Sequence, residues 1–127
     1  MDVSGDVANV HKPEVTVITE EEFDASKEAS SGMVLLQVGS DACERCPAFG
    51  AAVAELKTVY NFKWLYCDAH HVDTDIPEAL EITKLPAFAF YNPGPKEQIV
   101  VANASPDNVR QVVAKECTPI LQLDADF

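Results

Sequence analysis

Basic residues are scarce in this sequence: 9 Lys and Arg stand against 21 Asp and Glu, a formal net charge of -12. That balance argues against a nucleic-acid partner, which needs a positive face. It also disfavours anionic membrane surfaces and favours solubility or basic partners. Long apolar runs are missing, and none approaches the ~20 residues of a membrane span. The start, Met1-Asp2-Val3-Ser4-Gly5-Asp6, lacks the charged-then-apolar form of a signal peptide, so a cytoplasmic location is expected. Cysteine is sparse, at 4 in 127 residues. Small disulfide scaffolds carry far more, so these cysteines read as chemistry or core filler. No internal repeat or low-complexity segment is visible.

What is present suits one domain with a sizeable core. Apolar residues make up 47% and charged residues 24%, ordinary for a globular chain. Residues 1–12 lack large apolar groups and read as a flexible segment. Residues 13–117 carry the domain. Residues 118–127 mix aliphatics with acids and read as a tail, either frayed or folded back, or as a docking peptide.

Val15 to Ile18 reads as a first strand. Thr19 with Glu22 forms a capping box opening a helix to about Ala29. Met33 to Val38 is an apolar run that predicts a buried strand. A helix to about Tyr60 follows, with Phe49, Ala52, Val53, Leu56 and Val59 at helical spacing. Phe62 to Cys67 is a third strand. A loop with His70 and His71 leads to a short helix, Pro77 to about Thr83. Ala87 to Tyr91 and Gln98 to Ala102 form a hairpin about Asn92-Pro93-Gly94. Ser105 and Pro106 open a last helix with Val109, Val112 and Val113 on its apolar face. Alternating elements ending in a hairpin predict an α/β fold, a mixed sheet of four to five strands with helices on both faces.

The informative motif is Cys43-Glu44-Arg45-Cys46, at the junction of the buried strand and the second helix. Two cysteines so spaced at a strand-to-helix junction mark a dithiol redox site. The first helical turn presents unpaired N–H groups and a partial positive charge, which favour a thiolate.

The chain resembles the thioredoxin family over roughly residues 13–117. The dithiol motif carries the resemblance, with Leu85-Pro86 just before the fourth strand and Asn92-Pro93-Gly94 at the hairpin. The family implies a thioredoxin fold, a cis peptide at Leu85-Pro86 and a partner chain pairing with the Leu85 backbone like an added strand. Ala42, Leu85 and Pro86 then border the substrate. The sequence also departs from the family. Ala42 replaces a tryptophan, and Glu44 and Arg45 replace Gly-Pro. Gly39 is bare where tryptophan is common. The family's buried aspartate falls at Gln37, which cannot accept a proton, and its lysine partner falls near Trp64.

On this reading Cys43 is the nucleophile and Cys46, one turn deeper, resolves the mixed disulfide. Arg45 favours the Cys43 thiolate and Glu44 opposes it, or both are solvated at the rim. Trp64 is a core residue, close enough to the dithiol to report its redox state. Zinc would need two ligands from Cys67, Cys117, His70 or His71, and none forms a second close pair. No metal and no cofactor are expected. Cys67 and Cys117 read as core, and the two histidines as surface loop. Asp41, Glu44, Asp73 and Asp75, if clustered, would select basic substrates.

The expected function is thiol–disulfide exchange on a protein substrate docking near Cys43 and Leu85-Pro86, by a monomer. An upstream thiol reductant or oxidant would renew the site. The alternative is a redox-silent interaction module using the Pro86 face.

Overall fold

The computed structural model describes residues 12–117. The expected tail at 118–127, and all but the last residue of the expected flexible segment 1–12, lie outside the described residues.

Nine elements follow in chain order: β1 (Val15–Thr16), α1 (Glu20–Ala29), β2 (Val34–Gly39), α2 (Cys46–Lys57), β3 (Lys63–Asp68), α3 (Ile76–Ala79), β4 (Ala87–Asn92), β5 (Glu97–Val101) and α4 (Pro106–Glu116). The five strands form one sheet in the order β1-β3-β2-β4-β5. β1 and β2 run parallel to β3, while β4 is antiparallel to both β2 and β5. This is the mixed α/β sheet of the thioredoxin fold.

Both faces are covered, as the continuous apolar strands require. Strand alternation divides the core into two. Leu35, Trp64, Phe88 and Phe90 pack under α2 and α4 with Phe49, Val53, Val109 and Val113. Val34, Leu36, Val38, Leu65 and Cys67 face the other way, against Phe23 of α1 and Ile76 of α3. The central strand β2 is buried along its whole length.

The caps explain where two helices start. Thr19 and Glu22 form the reciprocal box at α1, and Ser105 pairs with Asn108 in the same way at α4. Other boundaries differ from the sequence reading. β1 stops at Thr16, because Thr19 must turn to cap α1, although Val17 N still donates to Tyr66 O at 2.9 Å. α2 begins at Cys46 and ends at Lys57, short of Tyr60. α3 ends at Ala79, short of Thr83: Glu81 turns to φ 59° and Ile82 N closes back on Pro77 O at 2.7 Å.

Candidate active site at the Cys43–Cys46 disulfide

β2 delivers the chain to the edge of the sheet at Gly39, and α2 carries it away from Cys46. The link between them is a tight turn. Cys43 N donates to Ser40 O at 3.2 Å, and Cys46 N donates to Cys43 O at 3.3 Å. Cys43 and Cys46 are joined in a disulfide with Cα atoms 5.4 Å apart. Cys43 therefore precedes α2 and is half-buried, whereas Cys46 opens the helix and is only 8% exposed. An attacking group reaches Cys43 first.

Gln37 lies on the α2 face of β2 and is buried. The Trp64 indole Nε1 donates to its Oε1 at 3.0 Å. The pair is neutral, with the indole N–H satisfied by the amide oxygen, where the family resemblance implies an acid and a lysine. Trp64 is buried, and both residues line the cleft that the disulfide borders.

Arg45 is exposed, but its guanidinium is not free in solvent and forms no ion pair with Glu44. It reaches the β5–α4 loop, donating to Asn103 Oδ1 at 2.8 Å and to Ala104 O at 2.8 Å. That loop is fastened in turn to the segment before β4. Ala104 N donates to Pro86 O at 2.8 Å, and Asn103 N to Lys84 O at 3.3 Å. Asn103 adopts φ 52°, a left-handed conformation that asparagine tolerates. Arg45 thus links the dithiol turn to the loop flanking Leu85-Pro86. Glu44 is exposed and makes no ion pair among the described residues.

The Leu85-Pro86 peptide is cis. Leu85 is half-buried, and its backbone N–H and C=O carry no hydrogen bond among the described residues. Two clefts flank the disulfide. A larger one of about 1020 Å³ lies over Gln37, Trp64 and Tyr66, with Ser40, Cys43 and Cys46 on its wall. A smaller one of about 380 Å³ joins Ala42, Cys43, Glu44 and Arg45 to Leu85 and His70.

Other sequence candidates fall away from the chemistry. Cys67 is fully buried, and burial, with Asp68 and Asp75, pushes its thiol up despite a contact with Thr74 Oγ1 at 3.4 Å. Burial and then Glu116 push the Cys117 thiol up to about 11. Neither is a ready nucleophile. His71 Nδ1 accepts from Asp73 N. Asp75 is committed to α1, where Oδ1 accepts from Glu20 N at 2.8 Å, so of the expected acidic group only Asp41 and Glu44 border the clefts. Among the described residues no group of three or more His, Cys, Asp or Glu is placed to hold a metal ion. No helix among them is long and apolar enough to cross a membrane.

Four neighbours are not placed at the site by the sequence reading: Ser40, Tyr66, His70 and Asn103. Ser40 Oγ is buried without a hydrogen-bond partner and borders both clefts. Tyr66 had a signal, since it lies two residues beyond Trp64 on the same face of β3. Asn103 had none, because its partner Arg45 is 58 residues away.

No curated protein sequence matches the chain. Among solved structures, the reduced thioredoxin pre-protein of Schistosoma mansoni superposes with a TM-score of 0.69 at 16% identity, covering 83% of this chain and 99% of that one. Oxidised mitochondrial thioredoxin 3 from Saccharomyces cerevisiae gives 0.69 at 16%, covering 80% and 93%. Oxidised thioredoxin O1 from Arabidopsis thaliana gives 0.66 at 20%, covering 82% and 97%. Likeness at this identity speaks for the fold alone. The vicinal cysteine pair, closed into a disulfide, supports thiol–disulfide oxidoreductase chemistry at the level of the family. The sequence profile of the thioredoxin family matches residues 14–115, from the edge of β1 to the last turn of α4, and the chain therefore belongs to that family.

Proposed function

We propose that the protein exchanges disulfides with protein partners through Cys43 and Cys46, and that it is specialised for a restricted set of them. The observation that carries this reading is the asymmetry of the pair: one sulfur half-buried beside two clefts, the other held beneath it at the start of a helix.

The Cys43 thiolate attacks one sulfur of a partner disulfide. A Cys43–partner S–S bond forms, the partner's own S–S bond breaks, and the electron pair leaves on the partner's second sulfur. The Cys46 thiolate then attacks the Cys43 sulfur, forming the Cys43–Cys46 bond and releasing the first partner sulfur as thiolate. The dithiol gives up two electrons, and the partner disulfide gains them. An upstream thiol pair restores the dithiol, or the steps run in reverse against an oxidant.

The free backbone of Leu85 supports docking of an extended partner segment beside Cys43. Pro86 fixes the loop through its bond from Ala104. Specialisation is supported by the lost aromatic contact surface at the exposed Ala42. It is also supported by the Arg45 link to Asn103 and Ala104, which holds one lining residue of the smaller cleft in place. Asp41 and Glu44 favour a basic segment, so partner affinity should fall as salt rises; affinity independent of salt would remove that preference.

A second reading has one observation in its favour. The neutral Gln37–Trp64 pair provides no proton acceptor for Cys46, as suits an interaction module with no redox cycle. Cys43→Ser separates the two. Disulfide exchange fails in that variant on the first reading, while partner binding and biological activity persist unchanged on the second.

A further inference from the structure

Gly39 has no side chain, and what surrounds the vacant position is specific. A Cβ built there would lie 3.1 Å from Cys46 Sγ, 3.3 Å from the Tyr66 hydroxyl oxygen and 3.5 Å from Tyr66 Cε1. The buried sulfur and the phenol oxygen thus both crowd the same position, and no hydrogen bond joins them while Cys46 is held in the disulfide. The register explains how. β2 and β3 are parallel, with Gln37 opposite Tyr66 and Gly39 opposite Asp68. Tyr66 leans along β3 toward the C-terminal edge of β2, into room that any larger residue at position 39 would fill.

We infer that Tyr66 is the positioning residue for the resolving sulfur: once the disulfide opens, its hydroxyl donates a hydrogen bond to the Cys46 thiolate, an approach that the bare Gly39 permits. This deepens the proposed function and rests on its assignment of Cys46 as the resolving cysteine.

The chemistry of the surroundings selects Tyr66 for this role. The Gln37 amide is neutral and its oxygen already accepts from Trp64. The phenol borders the larger cleft, where Asp41, Lys12 and Glu55 also lie, and Asp68 faces it from its own strand. Burial first, then Asp68 and Asp41, push the phenol above its ordinary value. It therefore stays protonated at neutral pH and acts as a donor. When an incoming thiolate attacks Cys43, a new S–S bond forms there and the Cys43–Cys46 bond breaks. The electron pair leaves on Cys46 Sγ, which the phenol O–H then stabilises. Bulk water supplies the proton that finally settles on this sulfur. In the opposite direction Cys46 releases its proton to that water, and the same hydrogen bond holds the thiolate for attack on the mixed disulfide.

The test uses the full chain in a Cys43→Ser background, where Cys46 titrates without a redox cycle. The rate of Cys46 alkylation by iodoacetamide is followed against pH by peptide mass, with and without Tyr66→Phe. Loss of one charge-assisted hydrogen bond should raise the Cys46 pKa by about one unit, a tenfold change in thiolate population. Gly39→Ala keeps the phenol but puts a methyl group within 3.1 Å of the sulfur and 3.3 Å of the hydroxyl oxygen, which hinders their approach, and should raise it in the same direction. In the otherwise unaltered chain, Tyr66→Phe should slow reduction of the disulfide by dithiothreitol about tenfold. An unchanged Cys46 pKa in both variants overturns the role of Tyr66. Absence of any reversible couple in the unaltered protein would instead sink the oxidoreductase reading, and the pKa comparison would still stand.

Discussion

Trp64 donates its indole N–H to the Gln37 side-chain oxygen at 3.0 Å, on the floor of the cleft that reaches the buried sulfur of Cys46. A neutral amide thus stands where thioredoxin chemistry calls for a proton acceptor, and its oxygen is occupied by the indole N–H. Gln37→Leu would leave the buried N–H unpartnered, at a cost of about 1–3 kcal/mol measurable by urea unfolding. Gln37→Asp should do the opposite for chemistry. With a general base in place, release of a trapped mixed disulfide should quicken by about a hundredfold. Equal release rates in the two proteins would show that the step does not wait on a proton acceptor here.

Arg45 is expected to act on the partner, not on the thiolate. Arg45→Met removes both bonds to Asn103 and Ala104 and frees the loop beside Leu85. Ordering that loop on binding should raise KM for protein disulfides by about five-fold. The rate with a small disulfide should stay the same. Lysine should not rescue the defect, since one ammonium cannot reproduce the planar fork. If small and protein substrates are affected alike, Arg45 works through the sulfur instead.

Much of this was legible in the chain because it is local. Thr19 and Glu22 are three residues apart and close the start of α1, and Ser105 with Pro106 marks the start of α4. The β2–dithiol–α2 junction reads from an apolar run, a Cys-x-x-Cys and a helical period. The link from Arg45 does not, because a residue between two cysteines gives no sign of an acceptor 58 positions away. The closeness of Tyr66 to Cys46 is hidden for the same reason. It depends on strand register and on an absent side chain. The end of α3 was misplaced because Glu81 takes a positive φ that its residue type does not announce.

Glu14 gives an acid-side prediction. Burial alone would raise its carboxyl, but the Lys57 hydrogen bond, the Trp64 N–H and the charges of Lys57 and Lys63 together hold it low. A carboxyl depressed in the folded state contributes stability above its unfolded value, and that contribution disappears as pH falls through the folded value. The side chain is 43% exposed, so the effect should stay below about 1 kcal/mol. Glu14→Gln should therefore be slightly less stable than the parent at pH 7, with the gap closing below about pH 4. A gap that persists at pH 2 would assign the loss to packing.

Cys67 and Cys117 should stay silent. With the Cys117 thiol at about 11 and Cys67 fully buried, neither reacts readily at pH 8 in the native state. After mild reduction, alkylation should mark Cys43 first and leave these two intact by peptide mass. Early labelling of Cys117 would make it a second reactive thiol.

The most direct measurement is a redox titration of the purified protein in graded thiol–disulfide buffers, with thiols trapped by alkylation and counted by mass. A reversible two-electron couple confined to Cys43 and Cys46, abolished by Cys43→Ser, is the expected result. A pair that stays wholly oxidised or wholly reduced across the range would contradict it and leave the protein as an interaction module.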